Sequence, residues 1–554
     1  MQDHVDWTTP IAVRPVPAIL DEAVARFAGR PAIDFLGRHT TYAELGRLVD
    51  RAARGFQQLG VRKGVKVGLC LPNTPCFVIC YYAILKAGGT VVNYNPLYVE
   101  RELRHQLEDS GTTIMVTLDI KQIYPKVAAM LDWSCLERIV LCRMADFLPS
   151  VQGLLFSVLR RSQVAHVPDD LRHVPFPRLL ANDGRLQPVP IDPTADLAVL
   201  QYTGGTTGRP KAAMLTHGNI TANTDQLYRW MPDGRAGEER MLCVLPLFHV
   251  FAMTVAMNVG LCYGAELILL PRFELKQVLK CIAKKRPTLF PGVPTIYTAI
   301  NGAAEQEACD LSSIRYCISG GAPLPLEVRS RFEQLAGCKV VEGYGLSEAS
   351  PVVTCNPFGR VKDGSVGLPL PGTAVEIRSP LDPAQLLGRG EKGEICVRGP
   401  QVMSGYWQRP EETAQVFAAG ALRTGDIGYL DEDGYLYLVD RIKDVIISGG
   451  YNIYPRVIEE ALYQHPAVAE AVVIGVADPY RGQVPKAFVR LRPAMASTVE
   501  ELHGFLSGYV SRIELPKYIE FRDELPKTLI GKLSKKELVA EELARSGATL
   551  HKAS

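Results

Sequence analysis

TYAELGRLVDRAARGFQQLG, residues 41–60, runs through a charged turn into VKVGLCL at 65–71, and TVVNYNP follows at 90–96. The first segment places apolar residues at helical spacing and opens on Thr41 with Glu44 three positions on, the reciprocal pattern that caps a helix start. The other two are short, continuously apolar runs, as expected of strands covered on both faces. A further helix is expected between them, near 74–87. Strand, helix and strand in this order imply parallel pairing through a crossover. The rhythm recurs to about residue 320 and predicts an α/β fold with two βαβ-type sheets. From about 355 to 440 the pattern changes to alternating strands with Gly/Asp turns (AVEIRS, GEICVRG, DEDGYLYLVD), which predicts an antiparallel, small β-barrel-like part. Beyond it lie a helix near 455–464, strands AEAVVIGV and KAFVRL, and a helix near 499–511, a compact α+β pattern. The expected division is therefore an N-terminal domain of residues 1–439 and a C-terminal domain of 440–554.

Composition narrows the function. The 554 residues carry 61 basic and 59 acidic side chains, a net charge of +2, which gives no electrostatic basis for nucleic-acid binding. Thirteen cysteines occur without a C-x-x-C pair or a Cys/His cluster at zinc spacing, so free thiols in a reducing, cytoplasmic setting are expected. Met241 to Ala265 has no formal charge, but its Pro246, His249, Asn258 and glycines suit a buried strand, loop and helix better than a membrane span. Residues 150–161, SVQGLLFSVLRR, place Val151, Leu154, Leu155, Val158 and Leu159 on one helical stripe ending in Arg160 and Arg161. Two readings stay open for it: a helix packed on its own domain, or an interfacial helix giving weak peripheral contact with the inner face of a membrane.

The stretch with the most chemical content is YTGGTTGRPKAAMLTH, residues 202–217. Glycines allow successive N–H groups to converge on one anion, Thr203, Thr206 and Thr207 add hydroxyls, and Lys211 adds a point charge. This is a polyphosphate loop, but not the G-x-x-x-x-G-K-[ST] kind. Read from Gly205, Pro210 stands where the second Gly belongs, and Ala212 where a magnesium-holding hydroxyl belongs.

Seven strings in order carry a resemblance: YTGGTTGRPK (202–211), LPLFHVFA (245–252), SGGAPLP (319–325), EGYGLSEASP (342–351), RTGD (423–426), VDRIKDVIISGGYNIYP (439–455) and PKTLIGKLSK (526–535). The chain resembles an adenylate-forming acyl-CoA synthetase of the ANL superfamily, and most of all the bacterial long-chain fatty acid–CoA ligases. The resemblance implies ATP, Mg2+, CoA and a fatty acid as reactants, and two steps, acyl-AMP formation and thiol attack on it. It implies that Thr203, Gly204, Gly205, Thr206, Thr207 and Lys211 hold the phosphates, and that Glu348 associates with magnesium, beside Gly345 and Ser347. Tyr344 would face adenine against a wall of Gly320, Gly321 and Ala322, while Asp426 and Arg441 would meet the nucleotide's ribose side.

Lys532 matches the family lysine that bridges the attacking carboxylate and the α-phosphate, and His249 the histidine bordering the acyl site. A lone histidine beside apolar residues is also a common core residue, and that reading stays open. Phe251, Met253, Val255 and Val293 would line the acyl pocket. Asp440 matches the hinge of a mobile C-terminal domain, and Lys443, Ser448, Gly449 and Gly450 the CoA-side loop. A homodimer is a further expectation without its own sequence signal. An aryl-CoA ligase and a fatty acyl-AMP ligase are alternatives on the same scaffold, and a non-catalytic relative is a third.

Overall fold

The computed structural model describes Trp7 and residues 9–203, 210–231, 233–304, 309–449, 451–528 and 532–545. Thr41 caps the helix Tyr42–Gln58 in a full capping box with Glu44, and Leu45, Val49, Ala52 and Phe56 form its buried face. The next helix, Pro75–Lys86, is buried from Pro75 to Leu85 on every side. A helix apolar all round belongs in the middle of a protein, and the strands on either side, Lys66–Cys70 and Thr90–Asn93, pair in parallel as the opening segment predicts.

These strands belong to a seven-stranded sheet in the order His173–Pro175, Arg138–Cys142, Thr112–Leu118, Lys66–Cys70, Thr90–Asn93, Leu197–Thr203, Lys211–Thr216. All its pairings are parallel except the last. A second, nine-stranded sheet has a parallel centre running from Lys339–Gly345 through Tyr316–Gly320, Leu289–Gly292, Arg240–Cys243 and Glu266–Leu269 to Pro31–Phe35. One continuous apolar core joins both sheets and the helices around them.

The third sheet gives the antiparallel part its form. Ala374–Arg378, Gly393–Arg398, Ala421–Leu430, Phe417–Ala418 and Leu436–Arg441 form an antiparallel sheet of five strands. Among the described residues no pairing joins its edges, so it is an open sheet rather than a barrel. Chain from Ile446 onward makes the fourth sheet and carries cores of its own, built from residues such as Ile446, Ile458, Leu462, Val473 and Leu502. Its second predicted helix is shorter than expected, Val499–Leu506.

Two further corrections concern the sulfurs and the uncharged stretch. Cys76, in the first turn of the buried helix, and Cys142, at the end of the strand Arg138–Cys142, are joined as a disulfide, so not every cysteine is a free thiol. Residues 241–265 do form a buried strand, loop and helix, but Ala252–Asn258 winds as a π-helix, a form often found beside functional sites. Among the described residues no helix is long and apolar enough to cross a membrane.

Candidate active site

The strands on either side of the phosphate loop pair antiparallel. Thr203 ends one strand, Lys211 starts the next, and the two are cross-strand partners, with the Thr203 hydroxyl donating to the Lys211 carbonyl at 3.3 Å. A loop that returns as a strand differs from the strand-to-helix turn of the G-K-[ST] kind, which fits the missing hydroxyl after Lys211. Gly204, Gly205, Thr206 and Thr207 lie outside the described residues, as does Gly450.

The parallel centre of the nine-stranded sheet ends at the candidate site, as ligand crevices of such sheets do. Gly320 closes one strand and pairs with Gly343, one residue before Tyr344 on the next. The buried Tyr344 hydroxyl donates to Asp426 Oδ2 at 2.6 Å. Asp426 Oδ1 lies 3.1 Å from the Nε of Arg441, its cross-strand partner. An ionised carboxylate held from two sides keeps its orientation, and lone pairs of the same group can take ribose hydroxyls. Ser347, Glu348 and Ala349 form a single 3-10 turn after Gly345. A Cβ on Gly345 would lie 2.1 Å from the Pro351 carbonyl oxygen, so the backbone of this turn closes to a distance that only glycine permits.

Lys532 reaches this place from the C-terminal part, beyond its last sheet strand Tyr518–Phe521. Its backbone N–H donates to the Thr528 hydroxyl at 3.1 Å, and the turn is closed by a bridge between Lys527 and Leu533. A Cβ on Gly321 would stand 2.6 Å from Lys532 Cε, and Gly321 also has φ +84°. The positive φ is what calls for glycine here, and the end of the lysine side chain passes close against it. Burial, then the neighbouring Arg441 charge, lowers the Lys532 ammonium to about 8 against the pull of Asp426. His249 is lowered to about 3, chiefly by burial and then by Lys532, so it stands neutral at physiological pH. Its Nδ1 accepts the Phe251 N–H at 3.3 Å, which leaves Nε2 as the nitrogen that carries the proton.

Phe251 and Val293 flank the same point: Phe251 Cζ lies 3.1 Å from a Cβ position on Gly320, and Val293 Cγ1 3.8 Å from that on Gly321. Met253 and Val255 are buried in the π-helix, with Met253 Sδ 3.5 Å from Asn93 Nδ2. The structure thus gathers Lys532, His249, Gly320, Gly321, Phe251, Val293, Tyr344, Asp426 and Arg441. It does not bring Ser448 and Gly449 into that group. Ser448 pairs with Tyr451 and Gly482, and Gly449 N–H donates to the Arg481 carbonyl, both within the C-terminal sheet. Asp440 sits between the parts. It pairs with Ile427 one residue before its strand ends at Arg441, and its side chain accepts the N–H groups of Arg441 and Arg456, each at 2.8 Å. Burial raises its carboxyl to about 6, opposed by Lys535 and those two N–H groups.

Two residues without a motif complete the phosphate side. Ser404 and Gly405 pair with Met214, and Trp407 with Ala212, so residues 404–407 lie along the outer edge of the strand Lys211–Thr216. That places the Tyr406 ring 5.2 Å from Lys211 Nζ and its hydroxyl 2.7 Å from Glu348 Oε1, to which it donates. Glu412, in the first turn of the helix Pro410–Val416, forms an ion pair with Lys211. Tyr406 therefore touches both Lys211, expected at the phosphates, and Glu348, expected at magnesium. Tyr406→Phe is expected to leave the fold in place, since one net hydrogen bond is worth about 1 kcal/mol. It should raise the Mg2+ concentration giving half-maximal acyl-AMP formation several-fold, checked by Mg2+ titration of wild type and variant.

A parallel-sheet crevice, a glycine-walled Tyr–Asp–Arg cluster and an incoming lysine define a nucleotide-handling enzyme built from a large α/β part and a smaller C-terminal unit. The chain belongs to the AMP-binding enzyme family, whose pattern matches residues 20–407, with the AMP-binding enzyme C-terminal domain matching 457–532. It is 46% identical over 538 residues to a long-chain-fatty-acid–CoA ligase of Bacillus subtilis (strain 168), covering 96% of this chain and 95% of the relative. It is 38% identical over 506 residues to a feruloyl-CoA synthase of an Amycolatopsis species, covering 91% and 94%. Among solved structures, ATP-bound MatB from Rhodopseudomonas palustris is similar with a TM-score of 0.82 at 28% identity, covering 95% of this chain and 98% of that one.

Proposed function

We propose that the protein activates a medium- to long-chain fatty acid to its CoA thioester through an acyl-AMP intermediate, consuming ATP and releasing AMP and pyrophosphate. The observation that carries this reading is the lysine from the C-terminal unit lodged against Gly321, beside Asp426, Arg441 and neutral His249. Adenylation brings a carboxylate against a phosphate, and the obstacle is repulsion between two anions. A buried cation placed between them, with little reorganisation, stabilises the charge that develops. Tyr344, Asp426 and Arg441 would hold the nucleoside, and Phe251, Val293, Met253 and Val255 would offer the apolar wall for the chain.

For magnesium, the chemistry of the donors fits. Glu348 Oε1 is already fixed by Tyr406, and its other oxygen accepts no hydrogen bond among the described residues. A hard cation takes one or two carboxylates plus phosphate oxygens. Bound there it would neutralise phosphate charge.

In this reading residues 1–439 and 440–554 act as two bodies hinged at Asp440. Lys532 and the strand pair of Ser448 and Tyr451 both lie in the C-terminal part. They would serve the two half-reactions by turns, with Lys443, Ser448 and Gly449 meeting CoA in the second.

The second reading, an aryl-CoA ligase, draws on the likeness to a feruloyl-CoA synthase. AMP release with palmitate, octanoate and 4-coumarate, each with and without CoA, separates the two. The proposal expects acyl-CoA from palmitate and octanoate. Product from 4-coumarate alone, or AMP without any acyl-CoA, would overturn it.

A further inference from the structure

The helix Ser150–Leu159 leaves its apolar stripe uncovered. Val151, Leu154, Leu155, Val158 and Leu159 are 72, 68, 50, 65 and 72% exposed, values that belong to surface residues although each is a large aliphatic. The packed reading of this helix is thereby set aside. What it does pack is its narrow opposite face: Gly153 is buried against the preceding turn, where a Cβ would lie 2.7 Å from the Ala145 carbonyl oxygen, and Phe156 leans on the main core. The helix is therefore held firmly from behind while presenting leucine and valine outward. Single exposed apolar residues are ordinary, but five on one helical face mark a contact surface.

Charge says what the surface meets. Ser150 to Leu159 contains no charged residue, and Arg160 and Arg161 follow at once, both exposed. Lys121, also exposed, is tied to this end of the helix by its N–H donating to the Gln163 carbonyl at 2.9 Å. None of these three cations has an ion pair among the described residues. Neighbouring acids are already engaged: Asp119 accepts the Met144 N–H, Asp132 pairs with Arg172, Asp146 with Arg143 and Asp170 with His173. A second copy docking stripe to stripe would bring the same uncharged helix and set like cations against like. An anionic bilayer brings a sheet of phosphates beside an apolar interior. Ten residues of helix span about 15 Å, half the thickness of a hydrocarbon core, so the helix is suited to lie in the interface rather than cross it.

The geometry points to Ser150–Leu159 as a membrane-docking helix that lays its leucine face into the headgroup boundary of an anionic bilayer, with Lys121, Arg160 and Arg161 on lipid phosphates. This assigns a partner to a surface remote from the catalytic residues and stands whether or not the acid preference proposed above is right.

The test is flotation of the full chain with vesicles of phosphatidylcholine alone and of phosphatidylcholine mixed with phosphatidylglycerol. Wild type is expected to float with the mixed vesicles and to be released by salt. Leu154→Glu/Leu155→Glu should abolish flotation. Arg160→Glu/Arg161→Glu should weaken it at least thirtyfold on mixed vesicles, because each basic residue at an anionic surface contributes about fivefold. Both pairs are exposed, so unchanged thermal melting would show that the variants are folded. Wild type that fails to float on either vesicle, or floats equally well with Leu154→Glu/Leu155→Glu, overturns the proposal. So does sedimentation showing a wild-type dimer that the leucine variant dissociates, which would make the stripe a contact between copies.

Discussion

Lys532→Ala is expected to slow acyl-AMP formation from acid and ATP by about 10²–10³, the scale of losing one preorganised charge at a developing anion. Thioester formation from supplied acyl-AMP and CoA should survive largely intact, because the lysine acts where two anions meet and the second half-reaction has no such meeting. Both half-reactions falling equally would remove the residue from that role. The ionisation gives an independent signature. The lysine is cationic below about 8, so kcat/KM for adenylation, which reports the free enzyme, should fall as pH rises through that value. Lys532→Arg, charged throughout, should be slower yet flat over the same range. The sign for stability is opposite. The folded-state value lies below the ordinary 10.5, so the unfolded chain binds the proton more readily, and this residue's contribution declines as pH falls from 10.5 to 8.

Glu348→Gln should cost about 10² in adenylation rate, with a matching rise in the Mg2+ requirement, since an amide keeps the shape and loses the charge. The Tyr406 hydroxyl can still donate to the amide oxygen, so the turn should stay in place and thermal stability should change little. Mg2+ titration of pyrophosphate release is the measurement. A variant that loses rate at unchanged Mg2+ dependence would show that Glu348 orients something other than the metal.

Much of this site was legible because its motifs lie at strand ends, where glycine and one functional residue sit within a few positions. Tyr344 with Gly345 and Gly320 with Gly321 are local signals of that kind, and Asp426 in RTGD is a local signal set inside the strand Ala421–Leu430. Tyr406 and Glu412 were not legible, since their meaning comes from Lys211 about two hundred residues earlier, and only the pairing of 404–407 with the strand Lys211–Thr216 brings them together. The leucine stripe was visible as a pattern, but helical periodicity reports that one face is apolar, not whether anything covers it. The Cys76–Cys142 pair spans 66 residues and joins two parts of the fold that no spacing rule connects. The sequence around the phosphate loop did not show that Lys211–Thr216 adds antiparallel to a parallel sheet, a pairing that only the fold supplies.

The ion pair between Lys211 and Glu412 has a kinetic side. With Lys211 as the expected phosphate lysine, the triphosphate would not arrive at an idle cation; it would have to replace an anion already seated there. Part of the attraction would be spent on that replacement, moderating the grip on the phosphates. Once pyrophosphate is cut free, a carboxylate would stand ready to reclaim the lysine. Glu412 would then act as a return spring, trading some affinity for nucleotide against faster departure of the first product.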